Sequence, residues 1–259
     1  MNIMITNKTV KIEYLHDALL VDNSILVLGD LHIGYEEHIA EQGMFPRIQF
    51  KEIIEKLNGI FWNLSMKGVK IKQVVILGDL KHEFGGISDV EWSETLKFLD
   101  YIDKKVPKDS KIKNKIVLVR GNHDTILGPI AKKRDIEVVN YYKHKDICFI
   151  HGNKLHGKCF EGSKILILGH LHPAITLSDD YKKEKYKCFL QGKWKSKKIY
   201  ILPSFSPIGF GYELNSIDES KHDGNFLIIN YKLLKNFEVI IYNNKENKEY
   251  NFGKLKKLI

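Results

Sequence analysis

Residues 115–124 read KIVLVRGNHD, and this stretch decides the fold. Ile116-Val117-Leu118-Val119 is a short run rich in β-branched residues, the pattern of a strand buried on both faces. It stops in Gly121-Asn122-His123-Asp124, a glycine followed by three side chains able to bind metal or carry protons. Open α/β sheets place their sites in such loops, at the carboxyl ends of strands. The pattern recurs on either side. Ser24 to Leu28 closes on Gly29-Asp30-Leu31-His32, and Gln73 to Leu77 closes on Gly78-Asp79. Further on, Asp146 to Ile150 closes on His151-Gly152, and Lys164 to Leu168 on Gly169-His170-Leu171-His172. A sixth run, Lys198 to Leu202, has no such ending. The flanking glycines are expected where tight turns need positive φ or close backbone approach.

Two helices are also legible. Phe50, Ile53, Ile54, Leu57 and Phe61 form one apolar face, with Pro46 expected at the helix start and Gly68 near its end. Ser88 and Glu91 have the spacing of a capping box; Leu96, Leu99 and Ile102 continue the inner face, and Pro107 ends it. From 176 to 198 the chain is Lys-rich, with Tyr181, Tyr186, Phe189 and Trp194 interleaved. The favoured reading is a solvated hairpin turning near Gly192, ahead of a basic and aromatic strip for single-stranded nucleic acid. Phe226 to Asn230 and Phe237 to Tyr242 are expected to pair as closing antiparallel strands. No repeat or linker interrupts the chain. It is read as one domain, 1–259, with a motif core at about 24–210 and C-terminal strands at about 225–243.

The 259 residues carry 41 Lys and Arg against 32 Asp and Glu, a formal net charge of +9. Only Arg47, Arg120 and Arg134 are arginines. A positive charge carried by Lys points to a lysine-rich composition more than to a nucleic-acid groove built on bidentate Arg. The apolar runs are too short to cross a bilayer, and the N-terminus MNIMITNKTVKIEYLHD lacks a signal-peptide core. A cytoplasmic protein with no membrane partner is expected, and a homo-oligomer is left open. Cys148, Cys159 and Cys188 lack Cys-x-x-Cys spacing, so neither a zinc knuckle nor a disulfide framework is expected. Cys148 reads as a small core residue.

Asp30, His32, Asp79, Asn122, His151, His170 and His172 offer oxygen and nitrogen donors with no thiolate, a set suited to Mn²⁺, Fe²⁺, Co²⁺, Ni²⁺ or Zn²⁺. Seven donors exceed the need of one tetrahedral ion. They fit two ions about 3.5 to 4 Å apart that share a carboxylate, an arrangement that serves phosphate-ester hydrolysis. A metal-bridging hydroxide would attack phosphorus while both ions stabilise the developing charge. The leaving alkoxide still needs a proton. His123, beside Asn122, is the expected general acid, and Asp124 is expected to fix its tautomer by accepting from the far ring nitrogen. Arg120 is a weaker candidate for holding substrate phosphate and reads first as a strand-end ion pair. Phe205 and Phe210 are read as core residues before site walls, and Asp22 and Asp89 as turn and helix-start residues. His16, His38, His144, His156 and His222 are read as surface or core residues.

The ordered set D-x-H, G-D, G-N-H-D, H-G and G-H-x-H, over about 30 to 210, resembles the calcineurin-like metallophosphoesterase superfamily. The resemblance implies an α/β fold, a four-layer αββα sandwich of two mixed sheets flanked by helices. It implies two divalent ions, manganese first among them. Asp30, His32 and His172 would hold one, Asn122, His151 and His170 the other, and Asp79 would bridge, with His123 as the acid. Gly78-Asp79-Leu80-Lys81-His82-Glu83 resembles the SbcD-type nucleases, whose motif has a His three residues after the bridging Asp. His82 thereby gains a role beside the scissile phosphate. GHLHPAI, residues 169–175, and LPSFSPIGFG, residues 202–211, are similar to the compact archaeal SbcD-related phosphoesterases and the PdeM group. Asp79 is not followed by the V-D-R-G of the serine/threonine phosphatases. The core runs to about 242 and leaves little chain for the DNA-capping domain and ATPase-docking motif of SbcD-type nucleases. The expected function is a dinuclear metal-dependent phosphodiesterase acting on nucleotide or single-stranded nucleic-acid diesters. The alternatives are an SbcD-like nuclease on DNA or RNA ends and, from another class, a non-catalytic protein-binding scaffold.

Overall fold

The computed structural model describes residues 10–40, 47–110, 112–179, 181–209, 211–217 and 227–259. Its first sheet contains β1 (Ile12–Leu15), β2 (Ala18–Val21), β3 (Ile25–Leu28), β4 (Gln73–Ile76), β5 (Ile116–Val119) and β6 (Glu137–Val139), side by side in that order. The chain continues through β7 (Tyr142–His144), β8 (Ile147–Ile150), β9 (Ile165–Leu168), β10 (Pro173–Ser178), β11 (Lys183–Lys187), β12 (Phe189–Trp194), β13 (Lys197–Ile201), β14 (Tyr212–Glu213), β15 (Glu238–Asn243) and β16 (Lys248–Lys254). These build a seven-stranded sheet, β16-β15-β12-β13-β9-β8-β7, and a small sheet, β11-β10-β14. Both large sheets are mixed, because parallel pairs such as β3 with β4 and β8 with β9 sit beside antiparallel pairs such as β2 with β3 and β7 with β8. All six apolar runs form strands within a residue of their expected limits.

The helices are α1 (Tyr35–Ala40), α2 (Gln49–Met66), α3 (Asp89–Lys105), α4 (Leu127–Lys132), α5 (Gly157–Glu161) and α6 (Tyr231–Leu234). Strand side chains alternate faces, and here both faces are apolar. Leu26, Leu28, Val74, Ile76 and Leu118 pack outward against Ile53, Leu57, Ile60, Phe98 and Leu99 of α2 and α3. Val27, Val75, Leu77, Val117 and Val119 point the other way and meet Phe149, Ile167, Phe189 and Tyr200 of the second sheet. The outer face of that sheet, with Ile150, Leu168, Leu190 and Ile201, is covered by residues that include Cys159, Tyr231 and Leu234 of α5 and α6. Truncating one such fully buried side chain, Leu57→Ala for example, costs about 2–5 kcal/mol. No helix among the described residues is long and apolar enough to cross a membrane.

Several local expectations change. The described α2 begins at Gln49, and Pro46 lies outside the described residues. The Lys-rich segment makes two antiparallel pairs instead of one hairpin, β10 with β11 and β12 with β13. The second turns at Lys195-Ser196, both at positive φ, as a two-residue hairpin turn needs. Gly192 is mid-strand, where the Phe237 ring occupies the space of a side chain. Residues 227–230 form a bend whose Asn230 Oδ1 accepts from Lys232 N at 2.9 Å and caps α6; Phe226 lies outside the described residues. β15 instead pairs antiparallel with β12 on one side and with β16 on the other, an exposed edge strand with too few apolar residues to announce itself. Cys148 and Cys159 are disulfide-bonded, with Cα atoms 5.6 Å apart, and Cys188 is free and buried. The pair joins β8 to α5 and is made by packing, so no cysteine spacing signals it.

Registers then set the site. Leu28, Ile76 and Leu118 lie in one row across the first sheet, and Ile150, Leu168 and Ile201 in one row across the second. The five motif loops therefore emerge at one edge of the sandwich.

Candidate metal centre

The loops gather their donors into two groups. Asp30, His32 and His172 place one donor atom each within 4.8 Å of one another, and so do Asp79, His151 and His170. Asn122 Oδ1 lies 2.9 Å from His151 Nε2 and joins the second group. Asp79 Oδ2 is 3.3 Å from His151 Nε2 and 3.9 Å from His32 Nε2, between the groups. All seven predicted donors are thus brought together.

Backbone geometry aims them. Asp79 Oδ1 accepts from His123 N at 2.9 Å, which leaves Oδ2 facing both groups. Asp30 accepts from His170 N at 3.0 Å and so ties the first motif to the last. His151 Nδ1 lies 2.7 Å from Leu77 O; a carbonyl only accepts, so Nδ1 carries a proton and Nε2 is the nitrogen turned to the site. His32, Asp79, His170 and His172 all have positive φ, between 46° and 67°. Non-glycine residues held there cost about 1–3 kcal/mol each and persist where the surrounding fold over-determines them. Gly78, at φ 96°, also has no room for a side chain, because a Cβ would meet His151 Nδ1 at 2.7 Å.

The electrostatics favour a cation. Burial works against ionising Asp30, yet His172 and His151 hold it well below the usual carboxylate range. Burial likewise opposes Asp79, and its hydrogen bond from His151 brings it down. His32 is pushed down to about 3 by burial and by His172, and His170 to about 4 by burial and by His151. Burial would lower His151 too, but Asp30 and Asp79 outweigh it and push it up to about 9. Two buried carboxylates thus face one histidine that takes up a proton and two held neutral. His172 Nε2 is buried and makes no hydrogen bond, although Asp30 Oδ1 lies 3.2 Å away. An orphaned buried nitrogen, neutral imidazoles and excess negative charge fit divalent ions.

His123 and Asp124 depart from expectation. The ring of His123 places Nδ1 2.5 Å from the carbonyl of His82, and Asp124 is not its partner. Asp124 Oδ1 accepts from Leu80 N at 3.1 Å and Oδ2 from Gly121 N at 2.9 Å, so it pins two motif loops together. Burial and the nearby Asp79 push Asp124 up to about 6. Consecutive side chains point apart, and this one turned into the nearest unpaired amides.

His82 lines the cavity with Nδ1 3.4 Å from His32 Nδ1, and burial with His123 pushes it down to about 4. His32, His82 and His123 form a third cluster of nitrogens, without a carboxylate to offset an ion. The cavity, about 700 Å³, is walled by Tyr35, Leu171, Ile208 and Tyr212. Arg120 is exposed after β5, lines no part of that cavity and enters none of the ion pairs among the described residues, contrary to the strand-end pair expected. Phe205 is core, while Phe210 and His222 lie outside the described residues. His38 stands at the rim, its ring 5.6 Å from that of His82.

Sequence reasoning missed Gln49. Its Oε1 accepts from Gly34 N at 3.1 Å, and its Nε2 donates to His32 O at 2.8 Å and to Ser206 Oγ at 2.9 Å. Glu36 Oε2 in turn accepts from Gln49 N at 2.9 Å. A signal was present: Gln49 continues the buried stripe Ile53, Leu57, Ile60 and Leu64, where a polar residue needs partners.

A family model for calcineurin-like phosphoesterases matches residues 24–242. No curated protein matches the chain by sequence. Among solved structures, the nuclease MPE of Pseudomonas putida is 19% identical, with a TM-score of 0.56, covering 89% of this chain and 91% of that one. A single mutant of Vps29 from Entamoeba histolytica is 14% identical, with a TM-score of 0.37, covering 88% of this chain and 99% of that one. The likeness to the Pseudomonas protein speaks to the fold alone. With the matched span reaching from the first motif strand into β15, the chain belongs to the calcineurin-like phosphoesterase family.

Proposed function

We propose that this chain is a dinuclear metal-dependent phosphodiesterase. The observation that carries the reading is the place of Asp79 Oδ2, within 4 Å of nitrogens from both donor groups. Asp30, His32 and His172 would hold one ion, Asn122, His151 and His170 the other, and Asp79 would be shared. Two divalent ions there, Mn²⁺ by first expectation, would supply Lewis-acid charge stabilisation and an activated water. The chain's own residues do the rest. His123 has Nδ1–H committed to the His82 carbonyl, which leaves its other nitrogen for proton transfer. As an imidazolium it delivers the Nε2 proton to the leaving alkoxide and finishes as the neutral Nδ1–H tautomer. His82, in the cavity beside His32, would touch the substrate phosphate. Tyr35, Ile208 and Tyr212 line that cavity.

A nuclease on DNA or RNA ends is the second reading, and Phe84 favours it. Phe84 is 65% exposed, and its ring stands 5.3 Å from that of His123, where a nucleobase can stack. A non-catalytic scaffold ranks last, because the donor set is full. Metal analysis with hydrolysis of a bis-aryl phosphate, compared with the mono-ester, tests the main reading. Two ions per chain and faster diester turnover are expected; no divalent-metal-dependent turnover of the diester would sink it. Mn²⁺-dependent, salt-sensitive cutting of oligonucleotides would support the second reading, and activity confined to cyclic or single nucleotides would oppose it.

A further inference from the structure

The capping box at the start of α3 forms only by half. Ser88 Oγ accepts from Glu91 N at 3.0 Å, but the Glu91 side chain does not turn back to its own helix. It reaches the loop after Asp79, where Oε1 accepts from His82 N at 2.6 Å and from Glu83 N at 2.8 Å. Glu91 is 1% exposed, and its Oε2 has no hydrogen-bond partner. Leaving a carboxylate oxygen buried and empty is costly, and capping a helix does not require it. Gly34 makes the room, since a Cβ there would lie 3.0 Å from Glu91 Cγ.

The N–H of Glu83 and the carbonyl of His82 belong to one peptide group. On one side that group donates to Glu91 Oε1; on the other it accepts from His123 Nδ1 at 2.5 Å. Hydrogen bonds in series polarise one another, so a carboxylate on the N–H makes the carbonyl a stronger acceptor. The buried Lys81 also donates to the Glu83 carbonyl and stiffens the same loop. We propose that Glu91 is a positioning residue for proton delivery: through the His82–Glu83 peptide it holds His123 in orientation and in the Nδ1–H tautomer. Glu91 thus does what the sequence suggested for Asp124, with a peptide group interposed. The inference rests on the phosphodiesterase reading.

Glu91→Gln in the full chain, loaded with Mn²⁺, tests it. Turnover of a diester with an alkyl leaving group should fall about 10-fold or more, because that oxygen needs a proton. Bis(4-nitrophenyl) phosphate should change less than about 2-fold, with metal content constant. In a His123→Ala background the same substitution should add nothing. In the metal-free protein, ¹⁵N NMR should show one His123 tautomer in the wild type and a mixture in Glu91→Gln. Equal losses on both esters, or the full loss persisting without His123, would overturn the proposal. So would an unchanged tautomer. Should Glu91→Gln fail to fold, Glu91→Asp, which keeps the charge one methylene short, must give a smaller loss of the same pattern. If the phosphodiesterase reading itself is wrong, the wild type lacks metal-dependent diester turnover, and the NMR comparison still reports on the link between Glu91 and His123.

Discussion

Asp79, His151 and His170 differ from Asp30, His32 and His172 in how they are held, though both groups are one carboxylate and two imidazoles. His151 and Asp79 have side chains 1% and 3% exposed, while His32 and His172 reach 12% and 24% and line the cavity, as His170 does; Asp30 is fully buried. His151 is fixed by a strand-end carbonyl and Asp79 by the His123 amide, so the deeper group leans on the sheets and their loops. His32 donates its backbone N–H to Asp79 O at 2.9 Å, and its carbonyl is held by the side chain of Gln49, itself held by Glu36. Backbone bonds tie both groups, and the open one leans in addition on a helix side chain, Gln49. We expect the ion in the open group to bind more weakly and exchange faster.

The hardest test of that contrast is Asp79→Ala, which removes the oxygen that lies between the two groups. Both ions should be lost, and diester turnover should fall at least about 10³-fold; a variant that keeps one ion at wild-type affinity would show Asp79 is not shared. His172→Ala separates the groups, because metal analysis should fall from two ions to one, with the deep ion retained. Loss of both would mean that the groups are not independent. His123→Ala should leave both ions in place and slow esters with poor leaving groups by about 10²- to 10⁴-fold, shrinking for aryl leaving groups. Near-normal rates on a ribose-like leaving group would remove His123 as the acid. Gln49→Leu keeps the shape of α2 and deletes its support of His32. Affinity for the open-group ion should drop about 10- to 100-fold while the deep ion is unaffected, as two-phase metal titration can resolve.

The smallest effect concerns Lys187, which donates to Ser204 O at 3.0 Å and to Ser206 O. That segment braces the open group, since Ser204 Oγ donates to Asp30 O at 2.8 Å. Burial lowers Lys187 to about 8 from its ordinary 10.5, with Asp17 only partly offsetting it. Between those values the unfolded chain binds more protons than the folded one, so this group makes stability rise with pH from about 8 to 10.5. Relative to Lys187→Met, which lacks the term, denaturant melts should show a gain of about 1–3 kcal/mol across that window. A flat difference between the two proteins would contradict it.

The strands and donors were legible because their signals are local. A β-branched run ending in glycine and imidazole is visible in ten residues, as 115–124 shows. Gln49 showed only as a polar residue continuing a buried stripe, and the roles of Glu36 and Glu91 did not show, because a polar residue near a helix start looks the same whether it faces water or a loop. The strand β16 hid for a related reason: KEYNFGK lies at an exposed edge, with only Tyr250 and Phe252 to mark a face. The bond between Cys148 and Cys159 is likewise written in packing, across 11 residues and two elements.

By itself the sequence determined which atoms are available: seven hard or borderline donors, two further histidines (His82 and His123) and the strands that carry them. Donor chemistry belongs to the residue, and the apolar runs force those strands inside. Only the tertiary structure decided who meets whom. Strand registers bring residues 30, 32, 79, 122, 151, 170 and 172 together, and one peptide group sets Glu91, not Asp124, behind His123. Such contacts join loops far apart in the chain, so they exist only once two sheets have packed and fixed the direction of each side chain.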